Sequence, residues 1–122
     1  MAELSDLSLV PLLKTPRLSK SKFLSGLQCH KRLYLEVHHP SLATKPDAAT
    51  QAMFDMGTEV GELARNRFPG GVLVTAGHRQ TEAALVQTAA LIQDRTVPAI
   101  FEAAFLHGGV LIRADVLERV LT

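Results

Sequence analysis

Two carboxylates near the end of the chain carry its clearest chemical signal. Glu102 and Asp115 fall in two strand-like runs, Val97–Leu106 and Val110–Leu117, that flank His107-Gly108-Gly109. A two-residue Gly-Gly loop suits the left-handed turn of a tight hairpin. It pairs residues whose numbers sum to 217, which sets Glu102 opposite Asp115. Like charges directly opposed on neighbouring strands are destabilising, so the pair needs a reason. One reason is a divalent cation: hard oxygen ligands converging on one point suit Mg²⁺ or Mn²⁺, as in phosphoryl-transfer sites. The other is a polar network in which Arg113, on the same face, neutralises both. Spacing alone leaves the two open.

The elements that must position this pair follow from patterning. In the same register Phe101 meets Val116, Ala103 meets Ala114 and Phe105 meets Ile112, a fully apolar face. Leu106–Leu111 and Ala104–Arg113 share the opposite face with the carboxylates, and a one-residue slip scrambles this sorting. Upstream, Ser19 and Ser21 are candidate N-caps for a helix over 19–37, with a bend near Gly26 and Cys29-His30. A second helix covers 51–67, with Met53, Met56, Val60, Leu63 and Ala64 as its inner stripe. Gly57 and Gly61 each cost that helix about 1 kcal/mol relative to Ala, which predicts a close approach by another backbone. After Pro69-Gly70-Gly71, Val72–Val74 reads as a short buried strand. Thr81 then caps a helix over 82–94 that turns Leu85, Ala89 and Ile92 inward. The expected class is mixed α/β, with an irregular lead-in over 1–18 and one domain over 19–122.

The chain has 122 residues, 47% hydrophobic and 20% charged, which is a globular composition and excludes a wholly disordered segment. Thirteen basic and twelve acidic side chains give a net charge of +1, which by itself selects no partner. Their distribution is uneven: residues 1–45 hold seven basic and three acidic side chains, residues 46–122 six and nine. Lys14, Arg17, Lys20, Lys22, Lys31 and Arg32 form a run without an acid between them, either a track for a phosphate backbone or a solvated helix face. No stretch approaches the roughly 20 apolar residues of a membrane helix, and no signal peptide is legible. With one cysteine, Cys29, these features predict a cytoplasmic protein. Cys29, His30, His38 and His39 match no common zinc spacing, and Cys29 reads as a buried free thiol. His78 and His107 are expected in surface turns. No Gly-rich phosphate loop and no nucleophile elbow is present.

Three segments, in order, resemble the RecB-like branch of the PD-(D/E)XK nuclease superfamily. Leu18–Leu35, a serine-led turn running into Cys29 and Tyr34, is similar to its N-terminal helix. Met56–Ala64 is similar to its Gly-x-x-x-His helix. Ile100–Leu117 is similar to the strand pair ending in the superfamily's metal-binding aspartate, here Asp115. Bacterial RecB-like proteins of unassigned function share the Phe68–Val72 turn. The resemblance implies a metal-dependent nuclease acting on DNA, with Asp115 and Glu102 as catalytic metal ligands and Lys20, Lys22, Lys31 and Arg32 against the nucleic acid. It also implies a place for Cys29 as one of four ligands of an iron–sulfur cluster, as in the related CRISPR-associated exonucleases. Two departures stand out. Gly61 occupies the histidine position, with Glu59 and Glu62 nearby. The acidic-x-Lys signature belongs on a following strand, yet Lys45 is the last lysine in the chain. The chain is therefore expected to be the N-terminal part of such a domain, inactive alone, with an exposed sheet edge prone to self-association. The alternative is a non-catalytic nucleic-acid-binding or scaffolding module that kept the fold.

Overall fold

A computed structural model describes residues 16–121. The expected lead-in lies outside the described residues up to Thr15. Beyond it, Leu18 forms a parallel bridge to Val110, donating its N–H to Gly109 O and accepting from Leu111 N, each at 2.9 Å. Ser19 then caps α1 (Lys20–Gln28), its hydroxyl accepting from Lys22 N. The single helix expected over 19–37 is two, because Cys29 adopts an extended φ of −162° and α2 (His30–His38) starts afresh. Gly26 explains the tight corner: a Cβ there would lie 2.9 Å from Leu33 Cδ2. Buried Ser25 ties it, donating to Glu36 Oε1 at 2.9 Å, while Arg32 Nε donates to the same oxygen at 3.0 Å.

Helix α3 (Ala48–Arg65) begins earlier than 51, because Asp47 caps it by accepting from Thr50 N at 2.8 Å. Its apolar stripe is not inward. Met53, Met56, Val60 and Leu63 are 59–72% exposed, and among the described residues nothing outside the helix's own backbone lies within 4 Å of a Cβ built on Gly57 or Gly61. Helical periodicity establishes that a face is apolar; it does not supply what covers it.

The remaining chain forms the core. β1 (Val72–Leu73) pairs parallel with β2 (Ala99–His107) through the crossover helix α4 (Thr81–Gln93), and β2 pairs antiparallel with β3 (Val110–Glu118). The order β1-β2-β3 puts β2 in the centre, and the fold is the mixed α/β class expected. Gly70 lets the chain turn into β1 at φ +82°, and Gly71 packs on Phe101, whose ring would lie 2.5 Å from a Cβ there. Val72 is exposed and Val74 buried, so only the end of the expected buried strand is covered. Thr81 is the first helical residue of α4 rather than its cap. The buried face of α4 is Ala84 and Thr88, flanked by Leu85 and Leu91; Leu85 turns inward as expected, whereas Ala89 and Ile92 are exposed. Small residues there let the helix approach Ala103 and Ala104, and Thr88 Oγ1 accepts the N–H of Ala104 at 2.9 Å. Arg119 closes the other end of α4, donating to Ile92 O at 2.9 Å and Val97 O at 3.0 Å. A cation beside the last carbonyls of a helix is favourable.

Candidate metal centre

The hairpin that carries the carboxylates has the expected turn. Gly108 and Gly109 take φ of +54° and +77°, the pair of left-handed residues that a type I′ turn requires. Every ladder pair from Ala99–Glu118 to His107–Val110 obeys the expected register. One rung is missing, that of Glu102 and Asp115. Glu102 has φ +59° and is the one non-glycine residue with positive φ among the described residues. The register is unchanged on both sides, so Glu102 and Asp115 still occupy opposing positions without pairing through their backbones. Glu102 is half-buried and Asp115 exposed.

Ile100, Ala103 and Ala104 of β2 join one hydrophobic cluster, with Ala114 and Leu117 of β3 packed against it, so adjacent residues of β2 are buried just past Glu102. Buried Phe101 packs near Phe68, ring centroids 6.3 Å apart.

Neutralisation by Arg113 is not what the structure shows. Its Nη2 donates to Ala76 O at 2.8 Å and Gly77 O at 3.0 Å, and the single ion pair among the described residues is Arg32–Glu36. The donor set fits a hard cation by type, since Mg²⁺ is commonly held by one or two carboxylates with water and substrate phosphate completing the shell. No group of three His, Cys, Asp or Glu set to hold a metal occurs among the described residues, and Glu59 and Glu62 stand exposed on α3.

The other expected site residues separate. Cys29 is exposed, which corrects its reading as a buried thiol; exposure follows from its extended position at the break between α1 and α2. As the chain's one cysteine, it does not by itself fit a four-thiolate cluster. Lys31 and Arg32 line a hollow of about 540 Å³ beside Cys29. The Ser25 hydroxyl and the Arg32 guanidinium hold the Glu36 carboxyl there below the usual glutamate range. Lys20 and Lys22 line a different groove, between the start of α1, the loop before α4 and the hairpin tip. The basic run is thus not one surface. The groove also gathers His78, which the sequence placed only in a turn, and its neighbour Arg79, for which it gave no expectation. Their position opposite α1 depends on the β1-α4-β2 crossover, which no local pattern announces. His107 ends β2 next to the turn.

No helix among the described residues is long and apolar enough to cross a membrane. Comparison of the chain with protein-family models, curated proteins and solved structures returned no match.

Proposed function

We propose that the chain is the N-terminal part of a metal-dependent nuclease domain, with Glu102 and Asp115 as its metal-binding carboxylates. One observation carries the reading. The left-handed non-glycine residue of the hairpin, Glu102, is also the residue opposite Asp115. A residue held in that conformation costs about 1–3 kcal/mol, and such strain clusters at functional sites. The sheet tolerates two unfavourable features at one rung, opposed carboxylates and a strained backbone. A bound divalent cation offsets the first and gives the second a purpose, by setting where the Glu102 side chain leaves the strand.

The cation, when bound, activates water and stabilises charge on a phosphate. This chain's own residues bind and orient it: Asp115 from the accessible strand β3, Glu102 from the central strand. No lysine follows Lys45, so a group that positions the attacking water is not supplied by the hairpin. β3 is an edge strand, and Leu18 occupies only its first rung. The rest of that edge is where the resemblance puts the acidic-x-Lys strand, and where a second copy would pair in its absence.

Mn²⁺ titration followed by electron paramagnetic resonance tests the reading, with a short oligonucleotide present to complete the shell. One weak site is expected, lost in both Asp115→Ala and Glu102→Gln, with no cleavage of single- or double-stranded DNA. Binding that survives both substitutions sinks the metal assignment, and metal-dependent cleavage that Asp115→Ala abolishes shows that the hairpin suffices. The competing reading, a module that kept the fold without the chemistry, is favoured by Gly61 in place of the family histidine.

A further inference from the structure

The groove between α1 and α4 is larger and more charged than the metal centre requires. Its volume is about 1870 Å³, against roughly 300–1,000 Å³ for a small-molecule pocket, which favours a polymer. Arg17, Lys20, Lys22, Arg79 and Arg113 line it, with Glu82 as the single carboxylate. Five of the thirteen cationic side chains thus share one groove, leaving eight basic and eleven acidic side chains elsewhere. None of the five forms an ion pair among the described residues. The lining between the cations is apolar and aromatic: Phe23, 51% exposed, with Leu18, Val37 and Ile112. His38 stands in the groove with its ring 4.6 Å from that of Tyr34. The groove runs along Val110–Arg113 of β3, so its end lies two residues, about 7 Å of strand rise, from Asp115.

We infer that this groove binds a single strand of nucleic acid, with phosphates on Arg17, Lys20, Lys22 and Arg79 and a base stacked on Phe23. The inference rests on the nuclease reading for the identity of the polyanion and adds to it a binding surface and a strand type. Cations alone would serve a duplex equally well. An exposed aromatic ring among them is the feature that selects unpaired bases, because only those have a free face to stack. Arg113 is fixed to two backbone carbonyls, so it contributes charge and holds the loop carrying His78 and Arg79 at the groove wall.

Fluorescence anisotropy on the full chain with a labelled oligothymidylate of about 20 nucleotides, longer than the usual 4–16-nucleotide site, is the test. The buffer contains EDTA, so neither metal nor cleavage enters. Four phosphate contacts give an expected log–log salt slope of about −2.8, or about a fiftyfold loss between about 50 and 200 mM salt. Phe23→Ala should weaken binding roughly tenfold, and Arg79→Ala should flatten the slope by about 0.7. Because the buffer holds no free metal, this result stands or falls apart from the Mn²⁺ experiment. Duplex bound as tightly as single strand with Phe23→Ala silent overturns the inference and leaves a nuclease reading intact. Retention on phosphatidylserine vesicles with no oligonucleotide binding overturns it outright.

Discussion

Replacing Glu102 separates the two unfavourable features that meet at its rung. Glu102→Gln keeps the side chain's size and the left-handed backbone but removes one of the opposed charges. Without metal, that relieves roughly 0.2–1 kcal/mol of cross-strand repulsion. Glu102→Gly removes the charge and also the steric cost of φ +59°, about 1–2 kcal/mol for a residue with a Cβ. Glycine's larger unfolded-state entropy takes back roughly 0.5–1 kcal/mol. In EDTA, then, Glu102→Gly is the most stable, Glu102→Gln is next and the wild type is last, within about 2 kcal/mol from first to last. Magnesium offsets the advantage. At a free concentration ten times the dissociation constant, binding to the native state alone adds about 1.4 kcal/mol to the wild type and little to either variant. Urea denaturation followed by circular dichroism, in EDTA and in Mg²⁺, reads both effects. Two outcomes refute the reasoning. If both variants are less stable than wild type in EDTA, the Glu102 side chain holds the fold, and the strain has no separate purpose. If Mg²⁺ stabilises all three proteins equally, the ion binds elsewhere.

Three further outcomes follow from particular contacts. Thr88→Val leaves the buried Ala104 N–H without its acceptor and should cost about 1–3 kcal/mol by urea titration; a neutral result means that water or a neighbour replaces the hydroxyl. Gly71→Ala, with the Phe101 ring and Phe68 O too close for a Cβ, should destabilise by about 1–3 kcal/mol, whereas Gly61→Ala, facing open space, should stabilise by up to about 1 kcal/mol. A loss of stability at Gly61 would reveal that α3 is covered in solution. The Ser25 hydroxyl and then Arg32 lower the Glu36 carboxyl, so its contribution is present above the ordinary glutamate value and is lost as pH falls through the lowered one. Unfolding midpoints in the acid range should therefore fall less steeply for Glu36→Gln than for wild type, and identical acid slopes would remove Glu36 from the account.

What the sequence makes legible is what local rules determine. The Gly108-Gly109 turn, the hairpin register and the opposition of Glu102 to Asp115 all follow from turn chemistry and the two-residue period. The extent of α4 is legible to within a residue and so is the inward Leu85, yet its most buried residues, Ala84 and Thr88, are not, since close packing on Ala103 and Ala104 selects small side chains over hydrophobic ones. The left-handed Glu102 has no signal at all. A glycine would announce it; a glutamate there is strained only because the strands on either side fix it.

The least legible parts are also the ones that reach beyond this chain's own core. That core is small: its largest fully buried side chain is Thr88, and the cluster is mostly alanine and valine with Ile100. By contrast, α3 exposes Met53, Phe54, Met56, Val60 and Leu63. Among the described residues nothing covers these side chains, and Asp55, Glu59 and Glu62 on the same helix are exposed as well. Among the described residues the edge of β3 beyond Val110 is likewise unpaired, on the same strand as Asp115. A strand added there would extend the sheet across the rung of Glu102 and Asp115 and could bring a further polar group to it. On the proposed nuclease reading, a strand that supplied the further metal-site group would therefore also extend the sheet.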